Sequence, residues 1–222
     1  MNCTSRYSPV HADWLASMVI AQIVTFFAAL LATLLVPFTL LVNLHPVQRL
    51  MLFLAGTIGG PAARFPASEA VTRVNDLLAL LAWRRPLPND GFYTAIELAH
   101  MSDVLTLFQT TYGTCVVSFI VLVLLPFPLH RRNLLWRPLR AAGIAILAIA
   151  GLLGVFLLTI GFDTVFTVFH ELAFANDLWL LPEESSLIRL FPEQYFATYF
   201  FAALASSVAI AVVLTTWKRR RR

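Results

Sequence analysis

The sequence predicts an all-α, polytopic membrane protein with four transmembrane helices and helical outer segments. Three observations predict it. First, 59% of the 222 residues are hydrophobic and only 13% are charged. A soluble domain of this length cannot hide so much apolar surface. Second, four charge-free stretches, Leu15–Leu44, Val104–Leu129, Ala141–Phe162 and Ala197–Trp217, are each long enough to cross a bilayer as a helix. Third, the charges are sorted between the loops, as the loops of a multi-pass protein are.

The first stretch carries Pro37, where a kink is expected. It is long and lacks a basic leader, so it reads as a retained anchor and not a cleaved signal peptide. The segment 45–103 is too long for a bare loop and must hold structure. Its apolar run Leu50–Ile58 ends at Gly59-Gly60-Pro61 and reads as interfacial or re-entrant. Ser68 reads as a helix cap, with Glu69 in the first turn. Val71, Val74, Leu78 and Leu81 then form one apolar stripe. That helix lies flat on the outer leaflet or packs as a lid over the bundle. The run Arg84-Arg85-Pro86-Leu87-Pro88-Asn89-Asp90-Gly91 breaks it. Thr94-x-x-Glu97 is a capping box that starts the next helix, which continues into the second span.

The turn 130–140 holds Arg131, Arg132, Arg137 and Arg140 and no acid, and the tail 218–222 is Lys218 followed by four arginines. The segment from Gly161 to Phe196 carries six acids against Arg189 alone. Positive loops stay in the cytoplasm, so both termini are expected inside and the segments 45–103 and 163–196 outside. The net charge of +4 is then a topology signal and an anionic-lipid anchor, with no nucleic-acid role. From Ala141 the third helix runs past Asp163 to about Ala175, where Asn176-Asp177 ends it. Phe162, Phe166, Phe169, Phe174 and Trp179 read as an interfacial aromatic belt. Cys3 falls on the cytoplasmic side and Cys115 within the second span, so no disulfide and no cysteine metal site is expected.

Two histidines stand out. His100 lies 30 residues before His130 and His170 lies 30 residues after Arg140. At the rise of an α-helix, each sits roughly 45 Å from the turn. The hydrocarbon core is about 30 Å thick, so both imidazoles emerge at the outer headgroup layer. The short turn makes their helices antiparallel neighbours. Glu97, His100 and Asp103 share one face by their spacing of three. Asp163, Thr167 and His170 share another, with Glu171 adjacent. Carboxylates beside an imidazole can fix its tautomer and steady its cation. The plainer reading is that such a histidine only solvates a helix end. Glu183, Glu184 and Glu193 read as a solvated face, and Arg189 as their partner or as an oxyanion or phosphate contact. His45 reads as interfacial. His170-Glu171 begins an H-E-x-x-H pattern, but position 174 is Phe, so no zinc-protease site exists. No G-x-S-x-G, P-loop or dinucleotide fingerprint occurs.

The stretch Glu97-Leu-Ala-His100-Met101-Ser-Asp103-Val104 resembles a family signature of the form E-x-x-H-M-x-D-V. Phe169-His170-Glu171-Leu-Ala-Phe174-x-Asn176-Asp177-x-Trp179 and Leu187-Ile188-Arg189-Leu-Phe191-Pro192-Glu193-x-Tyr195-Phe196 resemble two later ones. Together they resemble the lipoprotein intramolecular transacylase family of bacterial membrane proteins, most strongly from about Phe92 to Phe196. The resemblance implies movement of the sn-2 acyl chain of a diacylglyceryl-cysteine onto that cysteine's α-amine, giving a lyso-form lipoprotein. It implies a diacylated lipoprotein and membrane lipids as partners, residence in the bacterial plasma membrane, and no cofactor. It implies His100 and His170 as the functional histidines. Their proposed support is Glu97, Asp103, Asp163 and Glu171, and substrate contacts fall to Asn176, Trp179 and Arg189. The family pattern often has an acid after the Trp-containing turn, near Ser185-Ser186 here, which implies different loop contacts. His170 is assigned as base and His100 as acid or oxyanion donor; the reverse, or an acyl-imidazole, is equally open. The rival readings are a non-enzymatic scaffold or transport subunit, and a lipid acyl hydrolase using the same histidines. No charged residue lies in mid-membrane, which argues against an ion route.

Overall fold

The computed structural model describes residues 9–216 other than 60, 62 and 132. Cys3, Trp217 and the basic tail from Lys218 lie outside the described residues. Among those described there are only helices, turns and loops, and four helices are long and apolar enough to cross a membrane. These are α1 (Pro9–Asn43), α4 (Ala95–Leu124), α6 (Trp136–Ala173) and α8 (Glu193–Thr216). Shorter helices are α2 (His45–Leu54), α3 (Ala67–Trp83), α5 (Pro126–Arg131) and α7 (Ser186–Leu190). The fold is thus an all-α membrane bundle. Large side chains such as Phe119, Val155 and Leu158 point outward along α4 and α6, as lipid-facing residues must.

Helix α1 is the hub and packs against α4, α6 and α8. Small residues make this possible. Ala21, Ala28 and Ala29 of α1 and Ala203 and Ala211 of α8 are buried, and backbones come close where side chains are small. Ser207 of α8 donates to the Thr33 carbonyl of α1 at 2.9 Å. Gly143 of α6 lies so near α8 that a β-carbon there would sit 2.9 Å from the Ala211 carbonyl oxygen.

The sequence led us to expect the second and third spans as packed neighbours. They are not a packed pair: α6 packs against α8 and α1, and α4 against α1 and α3. A short turn fixes that two helices run antiparallel, but it does not fix which other helix lies between them. α4 and α6 meet instead through side chains at the end away from the arginine-rich turn.

That end carries its own small core. Leu52 of α2, Ala70, Val74, Leu77 and Leu81 of α3, Leu187 and Leu190 of α7, and Tyr195 of α8 are buried together. The α3 stripe predicted from sequence is therefore a packing face. Gln109 of α4 donates to the Leu81 carbonyl, which ties the end of α3 to the side of α4. The helix leans on the bundle. Its N-cap is Pro66 with no side-chain cap, so Ser68 does not cap it as expected. Ser68 lies inside the first turn, and its carbonyl accepts from the Thr72 hydroxyl. A buried polar relay pins α2 beneath this core: the Tyr195 hydroxyl donates to Gln48, whose amide donates to the Val42 carbonyl.

Helix α6 is broken once. Gly161 has φ 80° and ψ 166°, a non-helical conformation between two helical stretches. This region of backbone space is open essentially to glycine alone. The sequence reading expected an unbroken helix there.

Candidate active site

His100 stands in the second turn of α4, after the capping box that starts it. Thr94 accepts from the Glu97 backbone N–H through its hydroxyl, and the Glu97 carboxylate accepts from the Thr94 backbone N–H at 2.7 Å. His170 stands in the last turn of α6, nine residues beyond the Gly161 break. The ring centroids of His100 and His170 are 6.2 Å apart, tilted by 34°. Both are buried.

His170 sits among aromatic rings. Phe166, Phe169, Phe174 and Trp179 have centroids 4.2, 5.3, 5.6 and 5.1 Å from its own. The edge of Phe174 also meets His100 at 5.2 Å. These residues were read from sequence as an interfacial belt. Four of them wall the imidazole. A Phe at i−4 and another at i+4 of a histidine was the signal available in the sequence.

The two imidazoles differ in their hydrogen bonding. His170 Nδ1 lies 2.8 Å from the Phe166 carbonyl oxygen. A carbonyl only accepts, so Nδ1 carries the proton and Nε2 keeps its lone pair. His100 Nδ1 is buried with no partner among the described residues. A buried N–H without an acceptor is costly, which favours the His100 proton on Nε2. One ring thus offers an acceptor nitrogen and the other a donor.

The carboxylates are placed differently from the sequence expectation. Glu97 is fully buried and makes its bonds elsewhere. One oxygen takes both the N–H and the hydroxyl of Thr94, and the other accepts from the Leu187 backbone N–H at 2.7 Å. It staples the start of α4 to α7. Asp103 accepts from the Asn176 side-chain amide at 3.0 Å, which ties the chain following α6 to α4. Asp163 and Glu171 are exposed. Among the described residues none of the four hydrogen-bonds either imidazole. Arg189 reaches the Arg64 carbonyl at 3.5 Å and covers the Phe65 ring; among the described residues it makes no ion pair with Glu183, Glu184 or Glu193. Ser185 is buried and caps α7 by accepting from the Ile188 N–H, which gives a structural use to the serine found where the family pattern has an acid. Burial pushes the Tyr93 phenol well above its usual range, so it stays neutral beside this core.

A family model described as lipoprotein intramolecular transacylase Lit matches residues 20–196. The chain belongs to that family. Membership makes it an acyltransferase of the bacterial envelope that moves an acyl chain to a cysteine amine of a lipoprotein. Solved structures agree on the fold. The lipoprotein intramolecular transacylase of Bacillus cereus is similar with a TM-score of 0.78 at 17% identity, over 89% of this chain and 92% of that one. A variant of the same enzyme with one histidine replaced by arginine gives 0.75 at 16% identity, over 95% of both chains. Another with a histidine replaced by alanine gives 0.74 at 16%, over 93% of this chain and 94% of that one. No curated protein sequence matches the chain.

Proposed function

We propose that the protein transfers the sn-2 acyl chain of a diacylglyceryl-cysteine to the α-amine of the same cysteine, with His170 as general base and His100 as oxyanion donor. The observation that carries this reading is the juxtaposition of the two imidazoles, with rings 6.2 Å apart and the Phe166 carbonyl holding the His170 proton on Nδ1; a donor Nε2–H on His100 completes the proposal. The histidine replacements in two of the related structures accord with a histidine site.

The chemistry balances with the substrate and two histidines alone. The amine nitrogen attacks the ester carbonyl while His170 Nε2 takes its proton. The carbonyl oxygen becomes an oxyanion and accepts from His100 Nε2–H. Collapse breaks the ester C–O bond. The glycerol oxygen leaves and takes the proton back from His170, giving an amide and a free hydroxyl. An α-amine has a pKa of about 7.7–8.0, so a neutral imidazole is a matched base near neutral pH. Donor and acceptor share one molecule, so positioning can supply roughly 7–11 kcal/mol of barrier lowering in good cases. The aromatic wall excludes water, which would otherwise compete with the amine. The outward faces of α4 and α6 are apolar, and an acyl chain can lie along them.

The arginine-rich turn supports a cytoplasmic placement for that end, and hence for both termini. The histidines then open at the outer face of the bacterial plasma membrane, where mature lipoproteins reside. The span boundaries remain those of the four charge-free stretches, with 45–103 and 163–196 outside. Substrate contact by Asn176, Trp179 and Arg189 belongs to the same proposal.

The test is mass spectrometry of lipoprotein N-terminal peptides from cells carrying the protein, lacking it, or carrying His100→Ala or His170→Ala. The intact protein should yield N-acyl, S-monoacylglyceryl peptides and each alanine variant should not. Undiminished lyso product in both variants would remove the histidine mechanism. Free fatty acid in place of lyso product would identify a hydrolase.

A further inference from the structure

Two cavities of about 380 and 310 Å³ adjoin between α2 and α3 and share one wall, His45 and Asn75. Neither includes the histidine pair of the active site. His45 Nδ1 and Asn75 Oδ1 are 3.0 Å apart. The amide oxygen accepts, so the ring donates and the Asn75 amide nitrogen is left facing away from His45. Arg49 lines one cavity and Arg85 the other. Among the described residues neither guanidinium has an ion-pair partner; the single ion pair recorded there joins Arg73 to Asp90. No carboxylate is among the lining residues. The floor is apolar, formed by Leu52, Val74 and Leu78.

The depth of this groove is fixed by two hydrogen bonds. Asn43, one lining residue, donates to the Tyr112 hydroxyl at 2.9 Å. Gln109 holds the Leu81 carbonyl just ahead of Trp83 and Arg85. Tyr112 and Gln109 lie 18 and 21 residues from His130. At the helical rise that is about 27–32 Å, the thickness of one hydrocarbon core. The charge-free stretch of α1 ends at the same level. Trp83 is largely exposed there, as aromatic residues at the lipid boundary are. Two unpaired guanidiniums therefore stand where lipid phosphates lie, on the membrane face opposite the arginine-rich turn.

We propose that this groove seats the phosphodiester headgroup of an anionic phospholipid in that leaflet. Arg49 and Arg85 bracket the phosphate, the Asn75 amide donates to it, and the lipid's apolar part runs over Leu52, Val74 and Leu78. Guanidinium forks match phosphate oxygens. The absence of a lining carboxylate leaves nothing to receive a choline or ethanolamine cation, which favours an anionic lipid over a zwitterionic one. The seated lipid would fill the gap between α2 and α3 and brace the small core above the bilayer.

The test is native mass spectrometry of the full-length protein equilibrated in mixed micelles of phosphatidylglycerol and phosphatidylcholine. The intact protein should retain phosphatidylglycerol with about tenfold preference. R49Q/R85Q should lose that preference, because each guanidinium near the membrane surface adds to the attraction for an anionic lipid. R49K/R85K should keep most of it, and R64Q, the same charge loss outside the groove, should keep all of it. Equal preference in R49Q/R85Q and the intact protein would overturn the proposal. So would displacement of the bound lipid by millimolar glycerol 3-phosphate, which would mark a site for a free phosphate. The readout is bound lipid, so a His100→Ala protein should score as the intact one does, whatever becomes of the acyl-transfer reading.

Discussion

Replacing Gly161 by alanine should disable the site without touching it. Gly161 holds φ 80° and ψ 166° within α6, and a β-carbon built there meets nothing within 4 Å. Any effect must therefore come from the backbone. An L-residue held in this region costs about 1–3 kcal/mol. The chain escapes that cost by turning helical, which removes the break. His170 lies nine residues further on, a lever of about 14 Å at the helical rise. A kink of the usual sharp size, about 20°, when straightened, swings the end of that lever by roughly 5 Å. The imidazoles are only 6.2 Å apart, and a misplacement of about 1 Å can already cost ~10²-fold in rate. G161A should thus lower the initial rate of lyso-lipoprotein formation by at least ~10²-fold while the protein still inserts and purifies. G154A is the control, since its β-carbon also meets nothing within 4 Å and no positive φ is involved. It should leave the rate unchanged. A G161A enzyme as fast as G154A would refute the idea that the break aims His170.

Four further outcomes follow. E97Q should lower unfolding stability by about 1–3 kcal/mol, read by thermal denaturation in detergent, because an amide NH₂ then faces a donor the carboxylate had satisfied. W179A should slow acyl transfer about tenfold or more by loosening the wall on His170, whereas W179F should recover most of the rate; equal rates for both would show that no ring is needed at this position. D163N and E171Q should each leave the rate within a few-fold of the intact enzyme, since both acids are exposed; a large loss in either would show that they reach the site. Asp90 is held below its usual carboxylate range by its hydrogen bond to Arg73, with help from the Phe92 N–H. A depressed carboxyl stabilises the fold above the unfolded value of about 3.9 and loses that contribution as pH falls through the lower folded value. Limited proteolysis of the 84–94 loop should therefore be flat from pH 5 to 8 and rise only in stronger acid; a rise at pH 6 would contradict it.

The spans were legible because the bilayer itself sets a length and a hydropathy that local sequence must meet. The capping box Thr94-x-x-Glu97 was legible because its partners are three residues apart, and it forms as read. That the two histidines meet at one level, 6.2 Å apart, was legible for a similar reason: helical rise converts residue counts into distance. What local counting could not supply was lateral arrangement. Antiparallel sense does not say that α1 packs against both α4 and α6. Nor could periodicity show which of two roles a carboxylate takes. Glu97 shares a face with His100, yet Thr94 and Leu187 satisfy its oxygens first. Leu187 is 90 residues away, and nothing near Glu97 in the chain announces it.

The same cause explains the site's design. An imidazole tautomer is often set by a carboxylate. Here a carbonyl of the same helix sets it for His170, while His100 Nδ1 is buried without a partner among the described residues. A neutral peptide oxygen orients the ring but does little to hold a proton on it. A carboxylate in its place would stabilise the imidazolium and slow return of the proton to the leaving glycerol oxygen. In the proposed mechanism, base and proton donor are one residue in successive halves of the ester-to-amide transfer, so a ring that takes and releases a proton with similar ease suits both halves. The aromatic wall serves the same end, because rings exclude water without offering a charge. The acids of this chain instead fasten its parts: Glu97 joins α4 to α7, Asp103 joins α4 to the chain after α6, and Asp90 joins the 84–94 loop to α3.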